Sequence, residues 1–115
     1  MTIRSLPHDG GSGSILAIGV LGALVALLLA AIPVGSLFAA HQQAANAADA
    51  AALAAADTVS GRLPGFPCET AQRVTERNRA VLDTCVVDGP TVRVGASVDT
   101  RWGSITVAAK AGPPP

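Results

Sequence analysis

Between Ile15 and Ala40 run 26 residues without a charge, interrupted only by Gly19, Gly22, Pro33, Gly35 and Ser36. A helix of about 20 apolar residues crosses a hydrocarbon core of about 30 Å, so the run predicts a membrane-spanning helix. A helix apolar on every side must be covered on every side. The rest of the 115-residue chain cannot do that as a soluble core. It is small and poor in large apolar side chains, and the whole chain has two Phe, one Trp, no Tyr and 23 Ala. Pro33 lacks a backbone donor, which predicts a kink or a local adjustment late in the span.

A cleaved secretory signal is the main rival. Its apolar region is about 7–15 residues long and ends at a small-residue site. This run is longer, and Phe38-Ala39-Ala40 places a bulky Phe where a small residue is wanted. A secreted protein released by cleavage near Ala40 is kept as an alternative. Orientation follows from the flanks. Arg4 precedes the span, and no Lys or Arg follows it before Arg62. The positive-inside rule then predicts a cytoplasmic N-terminus and an extracytoplasmic remainder.

The average composition hides this division. Eight basic and eight acidic residues cancel, yet only Arg4 and Asp9 precede Asp49. There is no basic surplus of the kind nucleic-acid binding requires. Nor is there the low hydrophobicity and high net charge of a disordered chain, since half the residues are apolar.

Residues 44–56 contain ten Ala, the best helix former, with Asn46, Asp49 and Leu53. The membrane helix is therefore expected to continue to about Ser60, where Gly61 and Pro64 stop it. Residues 15–60 would make a helix of roughly 70 Å, about half of it clear of the bilayer. Gln42, Asn46, Asp49, Leu53 and Asp57 recur at spacings of three and four along one face. Ala44, Ala47, Ala48, Ala51 and Ala55 line another, smooth enough for close packing. Its partner is either a neighbouring helix in an assembly or the protein's own head; a solvated stalk is the alternative. His41 falls where the membrane ends, as an interfacial residue.

Residues 61–112 have ordinary charge density and form a head too small to be stabilised by core burial alone. Cys68 and Cys85 are the only cysteines, without a CxxC or a His pattern for metal. On the extracytoplasmic side they predict a disulfide. Ala71, Val74, Asn78 and Val81 or Leu82 keep helical spacing between them. A helix running all the way would hold the two Cα atoms about 25 Å apart, whereas a disulfide needs about 4.4–6.8 Å. The helix must therefore stop, and Asn78 is expected at the left-handed position that ends it. A helix over 67–77, a turn at 78–79 and an extended return over 80–85 would close the bridge. Asp88-Gly89 signals a hairpin, and Val92, Val94, Ala96 and Val98 alternate with polar or small residues. After a turn at Arg101-Trp102-Gly103, Ile105, Val107 and Ala109 alternate again.

The expected fold is an α+β membrane protein. A long N-terminal transmembrane helix with an Ala-rich extension precedes a small disulfide-tied helix plus a three-stranded antiparallel meander. The expected segments are a cytoplasmic Gly/Ser-rich lead (1–14), the span (15–40), the extension (41–60), the head (61–112) and a Pro tail without ordering force (113–115).

No reactive constellation is evident. The Gly10–Ser14 stretch lacks the Lys of a phosphate loop and joins no strand to a helix. It reads instead as a flexible juxtamembrane segment. Glu69 and Glu76 sit four and three residues from Arg73, spacings that suit ion pairs better than an acid/base couple. The expectation is a non-enzymatic protein without cofactor, metal, nucleic-acid partner or small-molecule substrate.

Three stretches carry a family resemblance: Asp9-Gly10-Gly11-Ser12-Gly13-Ser14-Ile15-Leu16-Ala17, the run His41 to Ala56, and Pro67-Cys68 with Asn78, Cys85 and Val87-Asp88-Gly89. Together they resemble the TadE-like proteins of actinobacteria, associated with Tad (Flp) pilus and secretion machinery. The resemblance implies a structural minor pilin or pseudopilin role. It implies other pilin-like subunits, a cytoplasmic ATPase and a membrane platform protein as partners, besides the bilayer. It also implies Gly13–Ser14 as a processing site. The sequence departs from the superfamily pattern there. The fifth residue from Ser14 is Ile18 rather than Glu, and the span holds no acidic residue. A bitopic anchor presenting its head to a non-pilus envelope partner is the alternative.

Overall fold

The computed structural model describes residues 7–114, with side chains described from Gly11 on. Two helices, α1 (Pro7–Val59) and α2 (Pro67–Arg77), precede three strands, β1 (Val81–Asp88), β2 (Thr91–Thr100) and β3 (Gly103–Ala111). The chain divides into two units, Met1–Ser36 and Leu37–Pro115.

The first unit is the N-terminal part of α1. Its large apolar side chains from Ile15 to Val34 are all exposed. The helix begins at Pro7 rather than at the apolar run, so the part of the lead from Pro7 onward is helical instead of a flexible segment. Proline's fixed φ suits the first turn of a helix, and extension from an existing turn is far easier than nucleation. The apolar run thus marks where a membrane would begin, not where the helix begins. α1 passes through Pro33 unbroken, and the Ser36 hydroxyl donates to the Pro33 carbonyl at 2.9 Å.

In the second unit α1 continues to Val59 and stops at Gly61, whose φ of +83° leaves the helical region. α2 starts after the extended Phe66 with Pro67 in its first turn, and it ends at Arg77. The left-handed residue of the turn is Arg79 (φ 57°), not Asn78, which has φ −93°. Asn78 serves the helix end differently, its side-chain Nδ2 donating to the Val74 carbonyl at 2.8 Å. The expected pairs of Arg73 with Glu69 and Glu76 do not form. Arg73 donates to Thr70 Oγ1, and Glu76 accepts from Gln72. Among the described residues the ion pair is Arg62–Asp57, at 3.2 Å.

The strands form an antiparallel meander in the order β1-β2-β3, as the alternation of apolar residues predicts. The register shifts between Leu82 and Thr84, so Asp83 is an extra residue in β1. Successive strand residues face opposite ways, and β2 turns Val92, Val94 and Ala96 inward, where they are fully buried. They pack on α1 and α2 in two clusters. One joins Ala51, Ala52, Ala55 and Ala71 to Val92 and Val94, and the other joins Ala47 and Ala48 to Ala80 and Ala96. A Cβ on Gly112 would lie 2.8 Å from Thr91 Oγ1 and 3.3 Å from the Pro90 carbonyl, so the chain just past β3 runs close to the β1–β2 turn.

Gly95 is the tightest position in the sheet. A Cβ there would lie 2.5 Å from Thr84 Oγ1 on the paired strand. Gly95→Ala is expected to destabilise the head by about 1 kcal/mol through overpacking. Thr84→Ala in the same chain should relieve most of that loss. A double-mutant cycle in denaturant unfolding measures it, and additive losses would refute the contact.

Candidate interaction surfaces

Residues 15–34 of α1 present an apolar surface with no polar face, long and apolar enough to cross a membrane once. Gly13 and Ser14, the candidate processing position, lie within α1 and are exposed.

Past Ala40 the two helix faces separate sharply. Ala44, Ala47, Ala48, Ala51 and Ala55 are each fully buried. β2, with Ala71 of α2 and Ala80, covers this face from Ala47 to Ala55, so the partner it meets there is the protein's own head. Methyl side chains let the strands approach α1 closely and bury little area each, hence the need for many of them. The opposite face, Gln42, Asn46, Asp49 and Leu53, is exposed, with Asp57 half-buried. Leu53 is 62% exposed, an apolar side chain among polar ones.

Cys68 on α2 and Cys85 on β1 are joined in a disulfide with a Cα–Cα distance of 5.8 Å. The early helix end makes this possible, because β1 turns back along α2 after Arg79. Two further links were not legible as motifs. Gln43 Nε2 donates to the carbonyls of Asn78 (3.3 Å) and Arg79 (3.0 Å), tying the α2–β1 turn to α1. The Asp83 carboxylate accepts from Ser97 Oγ and Thr106 Oγ1, both at 3.2 Å, and so bridges all three strands. A Gln one turn before Ala47 and a lone Asp in a strand give no pattern to read; only the fold brings their partners near.

At the far end of the head, Leu53, Asp57, Val59, Arg62, Pro90 and Pro113 help line a groove of about 310 Å³. Among the described residues no group of three or more His, Cys, Asp or Glu could hold a metal ion.

Residues 11–58 match the family described as "Putative Flp pilus-assembly TadE/G-like". The match coincides with α1 from its Gly-rich start almost to its end, and leaves α2 and the sheet outside it. No curated protein and no solved structure matches the chain. Residues 11–58 of α1 are therefore similar to Flp pilus-assembly proteins.

Proposed function

We propose that the chain is a structural, non-catalytic subunit of minor pilin type in a Tad-type pilus or secretion apparatus. Residues 15–40 anchor it in the membrane, with the N-terminus in the cytoplasm and the head outside. The observation that carries this reading is the family match over residues 11–58, which covers the helix that would pack among other subunits. Its partners are other pilin-like subunits, the membrane platform protein and the ATPase behind it. Photocrosslinkers placed at Leu24 and Leu53, both exposed, test it in cells. Adducts with this chain or with other pilin-like subunits are expected, and adducts with lipid and unrelated proteins alone would overturn the reading.

A second reading, a bitopic anchor presenting the head to a non-pilus envelope partner, is favoured by one observation. Ile18 stands where a processed pilin would keep Glu, and the span has no acidic residue. The N-terminal sequence of the mature protein separates the outcomes. A start at Ser14 marks prepilin processing, an intact Met1 the bitopic anchor, and a start at His41 a secreted head.

A further inference from the structure

The end of the head nearest the uncharged run gathers three arginines and the chain's one tryptophan. Its position follows from strand direction. Ala51, Ala52 and Ala55 meet Val92 and Val94, while Ala47 and Ala48 meet Ala96 with Val98 beside it. β2 therefore runs back along α1, and its end points toward Ala40. β2 ends at Thr100, about 7 Å past Val98, a distance α1 covers in about five residues, and the Arg101-Trp102 turn lies just beyond. The hairpin tip, Arg101-Trp102, thus lies at the Ala40 end of this stretch of α1. Ala40, the last residue of the run, is itself buried at 7% exposure. The α2–β1 turn lies at the same end, held to Gln43 through the Asn78 and Arg79 carbonyls.

Arg77, Arg79, Arg101 and Trp102 are exposed there. None of these arginines has an ion-pair partner among the described residues. The nearby carboxylates, Glu76 and Asp99, already accept hydrogen bonds from Gln72 and Ser104. Arg79 occupies a left-handed backbone position, which Gly or Asn takes with less strain. Trp102, at 62% exposure, is a large amphipathic ring in open solvent. Tryptophan favours the membrane–water interface, and guanidinium groups pair with phosphate through fixed, charge-assisted bonds.

We propose that this end of the head docks on anionic phospholipid headgroups of the leaflet from which residue 41 emerges. Trp102 sits in the interface, and Arg77, Arg79 and Arg101 lie on the phosphates. The proposal rests on residues 15–40 spanning a bilayer and is independent of the pilus reading. Contact with the lipid surface would set the head's position above the membrane and limit its swing about the helix.

The full-length chain, reconstituted in vesicles of phosphatidylcholine with or without phosphatidylglycerol, provides the test. Trp102 is the only Trp and there is no Tyr, so indole emission reports this tip alone. In mixed vesicles the emission is expected to shift to the blue and to be quenched by brominated phospholipid, with weaker quenching in phosphatidylcholine alone. Arg79→Gly with Arg101→Gln should lower the docked-to-free ratio about fivefold per charge removed. Circular dichroism checks that the pair leaves the fold intact; Gly is at ease where Arg79 sits. Solvent-like emission in both lipids, from protein that resists alkaline extraction, overturns the proposal. Equal quenching in both lipids that ignores the double substitution overturns the headgroup recognition. Extraction by alkali shows instead that the span reading has failed, and the proposal falls with it.

Discussion

Ala51→Leu is expected to destabilise the head by about 2–3 kcal/mol, the range that overpacking a closed core reaches. Ala51 is fully buried between α1 and the sheet, beside Val92 and Val94. Three added heavy atoms have no void to enter, and the strands cannot move off without exposing both valines. Leu53→Ala, two positions on, is the control. That side chain is mostly exposed, so its loss should change stability by a few tenths of a kcal/mol at most. Denaturant unfolding of the detergent-solubilised chain, followed by circular dichroism, gives both values. Similar losses at the two sites would mean that the sheet does not seat on the Ala face.

Replacing both cysteines, Cys68→Ser with Cys85→Ser, is expected to lower stability by about 3 kcal/mol. That is the loop-closure entropy released for a sequence separation of 17 residues. The effect is large because the head has little else. Its fully buried side chains are methyl groups and two valines for the most part, and small domains start with a narrow margin. Wild-type protein treated with reductant should unfold at the denaturant concentration of the double variant, and untreated protein should show no free thiol. An unchanged midpoint after reduction would mean that α2 and β1 are held by packing alone.

Much of this architecture is legible in the sequence, because its signals are local. The end of α1 follows from Gly61, the span of α2 from Pro67 and the cysteine geometry, and the meander from alternation in 91–100 and 103–111. Where the reading differed from the structure, a longer-range or competing effect decided. Asn78 has the better propensity for a left-handed backbone, yet its amide caps Val74 and the reversal falls on Arg79. Glu76 lies one turn from both Arg73 and Gln72, and the amide wins. The bulge at Asp83 leaves no composition signal, since what stabilises it is a pair of hydroxyls on two other strands. For the Ala face, spacing shows that a partner must come close but not which one; Val92, Val94 and Ala96 supply it from at least 37 positions away (Ala55 to Val92).

That intramolecular seating sets the terms on which any outside partner competes. A sheet carried on the same chain, with residues 60–80, α2 among them, between it and α1, meets α1 at an effective concentration set by the tether rather than by expression level. Any helix from a neighbouring molecule must compete with it for Ala44 to Ala55, and at ordinary cellular abundance it loses. The head therefore acts as a resident competitor on this stretch of helix. Lateral association is left to the apolar run, to the face around Leu53, or to a partner able to unseat the sheet.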